Sequence, residues 1–368
     1  MFAQDPSILH AVHTFRAGLG HDRSMMRLPD ATIVFDSYWR FAAERMTMYY
    51  RRLRDPVGPW TADPVLAAHR FTNTFRAADR VSQYLIREVQ YRSDRSQAPS
   101  EVFFRTMLFK VFNRIETWEA IEAAIGPVSW QSADLDAIVR SLDVAMSGGS
   151  RVYSAAYIMP SPQFGHARKH ANHIALLDTM MRDGLPGRLA DARSLEAAYE
   201  MIVGYRGLGP FLAFQYTIDL NYSSLLDFDE DDFVVAGPGA LDGIAKCFGS
   251  VKEGDPRAII RAVTDRQDAE FARLGLDFPG LFGRRLKPID CQNLFCEISK
   301  YARAAHPEAQ GVSGRTRIKQ KYGHSRPQVI ETPFFPPKWG LEVKVPDLPP
   351  LVVQRRAEQL PLFRTSVV

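Results

Sequence analysis

Cysteine is scarce in this sequence, and long apolar runs and a phosphate-binding P-loop are missing. The three cysteines, Cys247, Cys291 and Cys296, cannot all pair with one another. We find no signal peptide and no run of about twenty apolar residues. We therefore expect a protein of the reducing cytoplasm that has no membrane anchor. The pattern GxxxxGK[ST] is absent too, which argues against a P-loop kinase activity.

The composition is that of a globular protein with a real core, since 46% of its 368 residues are hydrophobic and 24% are charged. A chain of this length favours one large domain or two intimate lobes. The net charge of +4 is not diagnostic, but its distribution is informative. Arg40–Arg114 holds 14 basic and 7 acidic residues, and Lys300–Arg326 holds 7 basic residues and one Glu. Such clusters suggest a polyanionic partner, although helical spacing in the first also fits solvated helix faces.

Apolar residues recur every three or four positions along most of the chain, which predicts a mainly α fold. The strongest signal predicts a helix over Ser100–Ala124, and others cover Ile33–Arg54 and Ala77–Val89. We divide the chain into an N-terminal helical segment at 1–60, a helical core at 61–310, and a tail at 311–368. The tail is first basic and then proline-rich, so we expect it to be extended.

A tight turn at Gly207-Leu208-Gly209 separates two predicted helices, and the whole unit spans about 194–220. Pro210 suits the first turn of the second helix, where its missing N–H is not needed. Free amides at that N-terminus can bind an anion such as a DNA phosphate. The alternative is a short turn between two core helices.

An acidic cluster follows this unit and runs into the apolar residues Phe233-Val234-Val235. We take Asp232 as the first candidate for a functional carboxylate, because it directly abuts the apolar run that would anchor it. The alternative, which fits Asp227 and Asp229 better, is that these acids solvate a loop. A separate set of histidines at 166, 170 and 173 has metal-like spacing. Matching carboxylates or cysteines are missing, so we expect no metal and no cofactor.

Several long stretches between Phe71 and Arg303 resemble the helix-hairpin-helix DNA glycosylase superfamily, in its branch of DNA base hypermodification proteins. The branch is related to the α-glutamyl/putrescinyl thymine pyrophosphorylases and to the helical domain of 5-hydroxymethyluracil DNA kinases, and it holds both base-remodelling enzymes and phage-defence glycosylases. The stretches that carry the resemblance include FTNTFRAADRVSQYLIR, FFRTMLFKVFNRIETWE, GLGPFLAFQYTIDLNYS, FDEDDFVVAGPGALDGIAKCF and IDCQNLFCEISKYAR. The resemblance implies a two-lobed, mainly α glycosylase-like fold with double-stranded DNA as partner. The four cysteines of the superfamily's iron–sulfur variant are missing, so no cluster is expected.

The resemblance implies that the target base is extruded into a pocket. We expect a monofunctional DNA N-glycosylase that excises a hypermodified pyrimidine from phage DNA and leaves an abasic site, in anti-phage defence. Asp232 would stabilise the developing charge and orient water, with Asp231 or Glu230 as second candidates. The lysine of bifunctional lyases is absent after the hairpin. No obligate protein partner is evident.

Two alternatives remain open. One is a transferase that attaches an amino acid or amine to pyrophosphorylated 5-hydroxymethyluracil in DNA, with Arg76, Arg80, Lys169 and Arg284 as cations for the leaving group. The other is a module that only binds modified DNA.

Further positions are assigned to DNA contact, through the hairpin and exposed cations, or to the base pocket, through polar side chains. The residues expected to contact DNA are Gly207, Leu208, Gly209, Arg76, Arg80, Lys169, Arg315, Arg317 and Lys319. The residues expected to line the base pocket are Asn73, Gln83, Tyr153, His170, Gln215, Asn221, Gln292 and Glu297. The alternative for the face around Arg76 and Arg80 is a solvent-exposed helix surface that has local ion pairs and no binding role.

Overall fold

The computed structural model describes residues 27–156, 159–249, 255–323 and 331–351. Within these ranges the chain is mainly helical and has isolated bridges in place of β-strands, which confirms the predicted fold class. The tail shows a single 3₁₀ turn, Pro337–Trp339, in its described part. The expected helix or linker at the extreme N-terminus lies outside the described residues. The division at residues 60 and 310 stays a prediction.

The helices are numbered here in chain order. They are α1 (Ile33–Arg54), α2 (Pro64–Ala68), α3 (Arg80–Tyr84), α4 (Pro99–Phe112), α5 (Ile115–Ile125), α6 (Leu135–Ser147), α7 (Lys169–Arg182), α8 (Leu185–Ala190), α9 (Leu195–Val203), α10 (Pro210–Tyr222), α11 (Pro238–Phe248), α12 (Pro256–Asp265), α13 (Gln267–Arg273) and α14 (Pro288–Ala305). A 3₁₀ turn, Arg76–Ala78, precedes α3, and a π-helical turn, Leu85–Gln90, follows it.

Local sequence sets many of the helix starts. Thr32, Asp63 and Ser194 each accept a backbone N–H at the first turn of the helix that follows, and proline occupies the first position of α4, α10 and α14. The single helix predicted over Ser100–Ala124 is wrong, because Asn113 adopts a left-handed conformation with φ of 49°. Its side chain accepts a hydrogen bond from Lys110 Nζ at 2.6 Å, and the chain turns there between α4 and α5.

The apolar side chains form two hydrophobic cores. The first core is built mainly from α1, α11, α12 and α14, and the second mainly from α4 to α9. Helix α10 contributes to both, with Phe214 and Ile218 in the first core and Tyr216 and Leu220 in the second. Because α10 is covered on nearly every side, any polar residue on it must find an internal partner.

Close packing of α11 against α14 fixes the first core. Gly243 lies so near to the backbone of α14 that a Cβ at this position would come within 1.9 Å of the Phe295 carbonyl oxygen. Glycine is therefore required by the close approach of two helices. Among the described helices, none combines the length and the apolar character needed to cross a bilayer.

Candidate nucleic-acid and base-binding site

The predicted hairpin is present between α9 and α10. Gly207 has a φ of 89°, and Leu208 N donates to the Tyr205 carbonyl at 3.2 Å, so the turn is tight. Leu208 is buried, whereas Gly209 and Pro210 are exposed at the start of α10. The exposed N-terminal amides of α10 have the arrangement that suits an anion, and binding of a DNA phosphate there stays a prediction.

A loop that precedes α7 packs against this hairpin. A Cβ on Gly207 would lie 2.7 Å from Pro162 Cβ, and Arg206 donates to the Gln163 carbonyl at 3.3 Å. The Asn172 side chain holds the end of the loop, because it accepts from Phe164 N and donates to the His166 carbonyl. The hairpin therefore rests on a second, separately braced segment of chain.

Tyr153 and His170, which we expected in the base pocket, are held by internal partners in this region. Tyr153 lies 2.7 Å from His173 Nδ1, and His173 Nε2 lies 3.0 Å from the Pro160 carbonyl. A carbonyl only accepts, so Nε2 carries the proton and Tyr153 donates to Nδ1. Burial lowers the pKa of His173 to about 4, which keeps the ring neutral at physiological pH. His170 contacts Asp143 at 2.7 Å.

Lys169, an expected DNA contact, lies in the same region. Its Nζ lies 4.3 Å from the centre of the Tyr153 ring, and burial lowers its pKa. The residue is half-buried, so part of its side chain faces the protein rather than the solvent.

A buried charge network joins the two cores. Asp219, on α10, forms a bidentate pair with Arg76 at 2.6 and 2.8 Å and a second ion pair with Lys110 at 3.0 Å. The Arg76 Nε also donates to Gln215 at 2.9 Å. Burial alone would raise the pKa of the Asp219 carboxyl, but Arg76 and Lys110 lower it below its ordinary value. The carboxylate is therefore charged and fully occupied by internal cations.

This network corrects the position assigned to Arg76 and Gln215. Arg76 was expected on an exposed face with Arg80, where it would bind DNA, but it is 3% exposed and lies in the interior. The reason is that residues 76–78 form a 3₁₀ turn before α3, so Arg76 and Arg80 do not share one helix face. Arg80 is exposed as expected.

The acidic segment separates into exposed and buried carboxylates. Asp229 and Asp231 are exposed and pair with Lys287 at 2.8 and 2.5 Å. Asp232, our first candidate, is also exposed, and its backbone carbonyl accepts from Arg261. Glu230 is the buried member of this segment, with an exposed fraction of 3%. Burial therefore distinguishes Glu230 from the three exposed carboxylates beside it in the sequence.

Glu230 lies beside Arg284, Tyr222 and Asp290. Its Oε2 accepts from Arg284 at 3.1 Å, whereas its Oε1 has no hydrogen-bond partner among the described residues. Burial raises the pKa of the Glu230 carboxyl, although Arg284 and two lysines oppose this rise. Burial, with a smaller effect from Glu230, raises the pKa of Asp290 to about 7. Perturbed carboxyls of this kind are typical of functional sites.

Asp290 is anchored by backbone groups at the start of α14. One oxygen accepts from Arg76 N and the other from Lys287 N, both at 3.1 Å. Asp290 thus connects the 3₁₀ turn that carries Arg76 to the helix that follows Arg284 and Lys287.

The described part of the tail covers the Glu230 carboxyl. Arg284 Cζ lies 4.0 Å from the centre of the Trp339 ring, and Trp339 meets Tyr222 edge-on at 5.4 Å. Lys338 Nζ donates to the Ser223 carbonyl at 2.9 Å and also to the Leu226 carbonyl. An aromatic side chain, a guanidinium and a buried carboxyl therefore follow one another inward from the surface.

The other expected base-pocket residues are dispersed and make structural hydrogen bonds. Asn221 bonds both backbone groups of Phe228, and Gln83 bonds both backbone groups of Phe334. Asn73 donates to the Ala78 carbonyl. The remaining two lie on α14, where Gln292 donates to Cys296 and Glu297 pairs with Lys300. The structure does not gather these five side chains around one pocket.

The basic segment 315–322 runs along the outside of the first core. Arg70 N donates to the Gln320 carbonyl at 3.0 Å, and Tyr322 N donates to the Ala68 carbonyl at 2.9 Å. Its backbone is thus held in place, while Arg315, Arg317 and Lys319 are exposed. This arrangement suits contact with a phosphate backbone, and DNA binding by these three residues stays a prediction.

Sequence reasoning missed Asp219, Lys110 and Trp339. Asp219 could have been found, because it is a single acid inside an otherwise apolar helix and so required a buried cation. Trp339 gave no such signal, since its role depends on how a proline-rich segment returns across the structure.

Comparison with known proteins gives two matches. The family described as 5-hmdU DNA kinase, helical domain, matches residues 32–311. A curated relative, the 5-hmdU DNA kinase of Bacillus phage SP10, is 26% identical over 289 residues. This alignment covers 73% of the chain but 45% of the relative, so the chain spans less than half of that protein's length. No solved structure matches.

Proposed function

Because the chain belongs to the family of 5-hmdU DNA kinase helical domains, we propose that it acts in DNA base hypermodification, on an extruded 5-hydroxymethyluracil-type base. The reaction that we propose is transfer of a group to the exocyclic carbon of that base. The observation that carries this proposal is the family match over 32–311, which includes most of both cores and the buried Glu230 in the loop between α10 and α11.

The expectation of a monofunctional DNA N-glycosylase was wrong. The matched family and the matched relative are both named as kinases of 5-hmdU DNA, which describes transfer to a modified nucleotide and not hydrolysis of its glycosidic bond. Excision in anti-phage defence, and the catalytic roles of Asp232, Asp231 and Glu230 in excision, fall with it. The wider likeness to helix-hairpin-helix glycosylases stays a prediction, which the hairpin between α9 and α10 supports.

The transfer would proceed at the CH₂ group of a pyrophosphorylated base. The amine lone pair forms a C–N bond to this carbon while the C–O bond to pyrophosphate breaks, and the bonding electrons leave with pyrophosphate. The nitrogen then loses a proton to a carboxylate. The acceptor that we propose is Asp290, because backbone N–H groups of Arg76 and Lys287 fix its carboxyl near Glu230 and because burial raises its pKa to about 7.

A cation beside the site would offset the charge of the leaving group. Burial acts to lower the pKa of Lys287, but its hydrogen bonds to Asp229 and Asp231 raise it above its ordinary value, so the ammonium stays charged. A fixed ammonium stabilises charge that develops on pyrophosphate oxygen. DNA would approach over the α9–α10 hairpin and the basic segment 315–322.

The test is a mass measurement on DNA. Duplexes carrying 5-hydroxymethyluracil or its pyrophosphate ester are incubated with the protein and a mixture of amines and amino acids, then digested to nucleosides. We expect a mass gain on the pyrophosphorylated base and an intact glycosidic bond. Release of free base, or alkali-labile strand breaks, would contradict the proposal.

A pair of variants ties the result to the site. D290N removes the proposed proton acceptor, so we expect the transfer rate to fall by about 100-fold or more. D232N changes an exposed carboxylate in the neighbouring loop and should leave the rate within about twofold, as befits a surface position. Equal rates for the two variants would remove Asp290 from the reaction.

A further inference from the structure

A segment of the tail crosses the protein above Glu230. We call residues 331–340 the strap. Gln83 fixes its first half, since it accepts from Phe334 N at 2.8 Å and donates to the Phe334 carbonyl at 3.1 Å. Phe335 is buried beside it, whereas Pro337, Lys338 and Gly340 are exposed. The strap is therefore held in its first half by Gln83 and in its second half by Lys338 Nζ, which donates to the Ser223 and Leu226 carbonyls, so the Lys338 bonds must open before it moves off Arg284.

The exposed half of the strap ends in a stack of three side chains. Trp339 lies over Arg284 at 4.0 Å, and Arg284 donates to Glu230 Oε2 at 3.1 Å. Tyr222 closes one side, with its ring perpendicular to that of Trp339. The Trp339 ring thus covers the outer face of the Arg284 guanidinium. The inner edge of the same guanidinium donates to the buried Glu230 carboxylate.

One acceptor in this stack is unsatisfied. Glu230 Oε1 is buried and meets no hydrogen-bond donor in the part of the chain that the structure describes. Burying a carboxylate oxygen without a donor costs free energy, and such an acceptor calls for a partner from outside the fold. The neighbouring acids differ, because Asp229 and Asp231 pair with Lys287 and both oxygens of Asp290 accept backbone N–H groups.

We propose that Glu230 and Arg284 recognise the Watson–Crick edge of an extruded uracil-type base, which reaches them when the strap moves off Arg284. The inference rests on the proposed function and assigns its base specificity. A uracil-type base presents an N3–H donor between two carbonyl acceptors. Glu230 Oε1 accepts the N3–H, and Arg284 donates to an adjacent carbonyl oxygen. The two side chains supply the complementary pair of groups.

The same groups disfavour a cytosine-type base that is held in the same position. Cytosine has an acceptor at N3, which would face the carboxylate oxygen without a proton between them. The place of Trp339 fits a movable cover, because the indole lies on the outer face of Arg284 and blocks the approach from the surface to Arg284 and Glu230.

The test compares binding of two DNA duplexes that differ in one base. One carries 5-hydroxymethyluracil and the other 5-hydroxymethylcytosine at the same position, and the dissociation constants are measured by fluorescence anisotropy. We expect the protein to prefer the uracil-type base by about tenfold or more. In E230Q the amide oxygen accepts from Arg284, which turns the NH₂ group toward the base. We then expect the preference to be lost or reversed.

One control variant and two outcomes separate the possible failures. D232N removes a carboxylate from the same segment, but one that is exposed, and should keep the preference of the wild-type protein. If the wild-type protein shows no preference for the uracil-type base, the proposed function itself fails. If the wild-type protein has the preference and E230Q keeps it, only the role of Glu230 is overturned.

Movement of the strap is tested by hydrogen exchange and by a pair of variants. Hydrogen exchange at the Trp339 amide, which donates to the Pro336 carbonyl, should become faster when DNA with 5-hydroxymethyluracil binds, whereas the Phe334 amide, which donates to Gln83, should stay protected. W339A should bind this DNA more tightly than the wild-type protein. W60A is the matched control, since Trp60 lies over Arg52 elsewhere on the surface. Slower or unchanged exchange at the Trp339 amide, or equal effects of the two variants, would overturn the strap's role.

Discussion

Arg76 and Asp219 form a bidentate ion pair in the interior, at 2.6 and 2.8 Å, and this pair joins the two hydrophobic cores. Arg76 belongs to a turn whose neighbours Phe75 and Ala77 lie in the first core, while Asp219 also pairs with Lys110 from α4 in the second. One carboxylate thus holds cations from both halves of the protein. Removal of the Asp219 carboxylate should therefore lower the free energy of unfolding more than removal of one of its two cations.

We expect D219N to lower the free energy of unfolding by about 3–5 kcal/mol, because it leaves two buried cations without a counterion. R76M should cost less, about 1–3 kcal/mol, since Asp219 keeps Lys110 at 3.0 Å. Urea denaturation monitored by circular dichroism gives both values.

The exposed pair of Arg182 and Asp178 provides the control for these variants. R182M should change stability by less than about 1 kcal/mol, as solvent screens surface pairs. If R76M lowers the free energy of unfolding more than D219N does, then Asp219 does not balance the charges of both Arg76 and Lys110.

The strongly periodic helices were predictable from sequence, and the residues between them were not. The helix from Ile33 to Arg54 appears with the predicted bounds, because its apolar positions and its Thr32 cap agree. The helix predicted over Ser100–Ala124 is interrupted at Asn113, where a left-handed residue and its bond to Lys110 outweigh the apolar period.

The candidate site was only partly predictable, for a related reason. Glu230 was named among three acids, but the sequence could not show which one the fold buries. That depends on Arg284 and Trp339, which lie far along the chain and come together only in the folded protein. Arg76 was expected at the surface because its position was placed on a helix face, whereas the chain there forms a 3₁₀ turn.

The hairpin offers a test with two nearby glycines. G207A should destabilise the protein by about 1–3 kcal/mol, because Gly207 has a φ of 89° and its Cβ would lie 2.7 Å from Pro162. G209A should have little effect, since Gly209 has a φ of −79° and a Cβ added there would meet no atom within 4 Å. Thermal melts check both, and DNA titration should show weaker binding for G207A. Similar melting temperatures for the two variants would mean that the hairpin backbone tolerates rearrangement.

The Asp290 carboxyl predicts an unusual pH dependence of stability. Burial raises its pKa from 3.8 in the unfolded chain to about 7, so between these values the folded protein binds more protons than the unfolded protein. This group therefore makes the protein less stable as pH rises from about 4 to about 7, by up to roughly 1.4 kcal/mol per pH unit.

The contribution of Asp290 is isolated by comparison with D290N, which cannot titrate. The difference in unfolding free energy, wild type minus D290N, should fall as pH rises from 5 to 8 in urea titrations. D231N, whose carboxylate is exposed, should run parallel to the wild-type protein over this range. A difference that stays constant for D290N would show that Asp290 is charged throughout.

The basic segment predicts a contribution to DNA binding that is independent of base. The triple variant R315Q/R317Q/K319Q removes three exposed cations from a segment whose backbone is held by Arg70 and Ala68. Each lost phosphate contact should reduce the slope of log K against log salt by about 0.9, and affinity should fall by roughly tenfold or more at low salt. Both effects should be equal for DNA with 5-hydroxymethyluracil and 5-hydroxymethylcytosine, since phosphate contacts carry no base information.

A second triple variant matches this change in charge and tests its position. R140Q/R182Q/R193Q removes three exposed arginines from the outside of the second core. If the segment 315–322 follows the DNA backbone, the slope of log K against log salt should stay close to the wild-type value in this control, whereas R315Q/R317Q/K319Q reduces it. If the two triple variants lose equal DNA affinity, then binding depends on the net charge of the protein alone, and the segment 315–322 makes no specific contacts with phosphates.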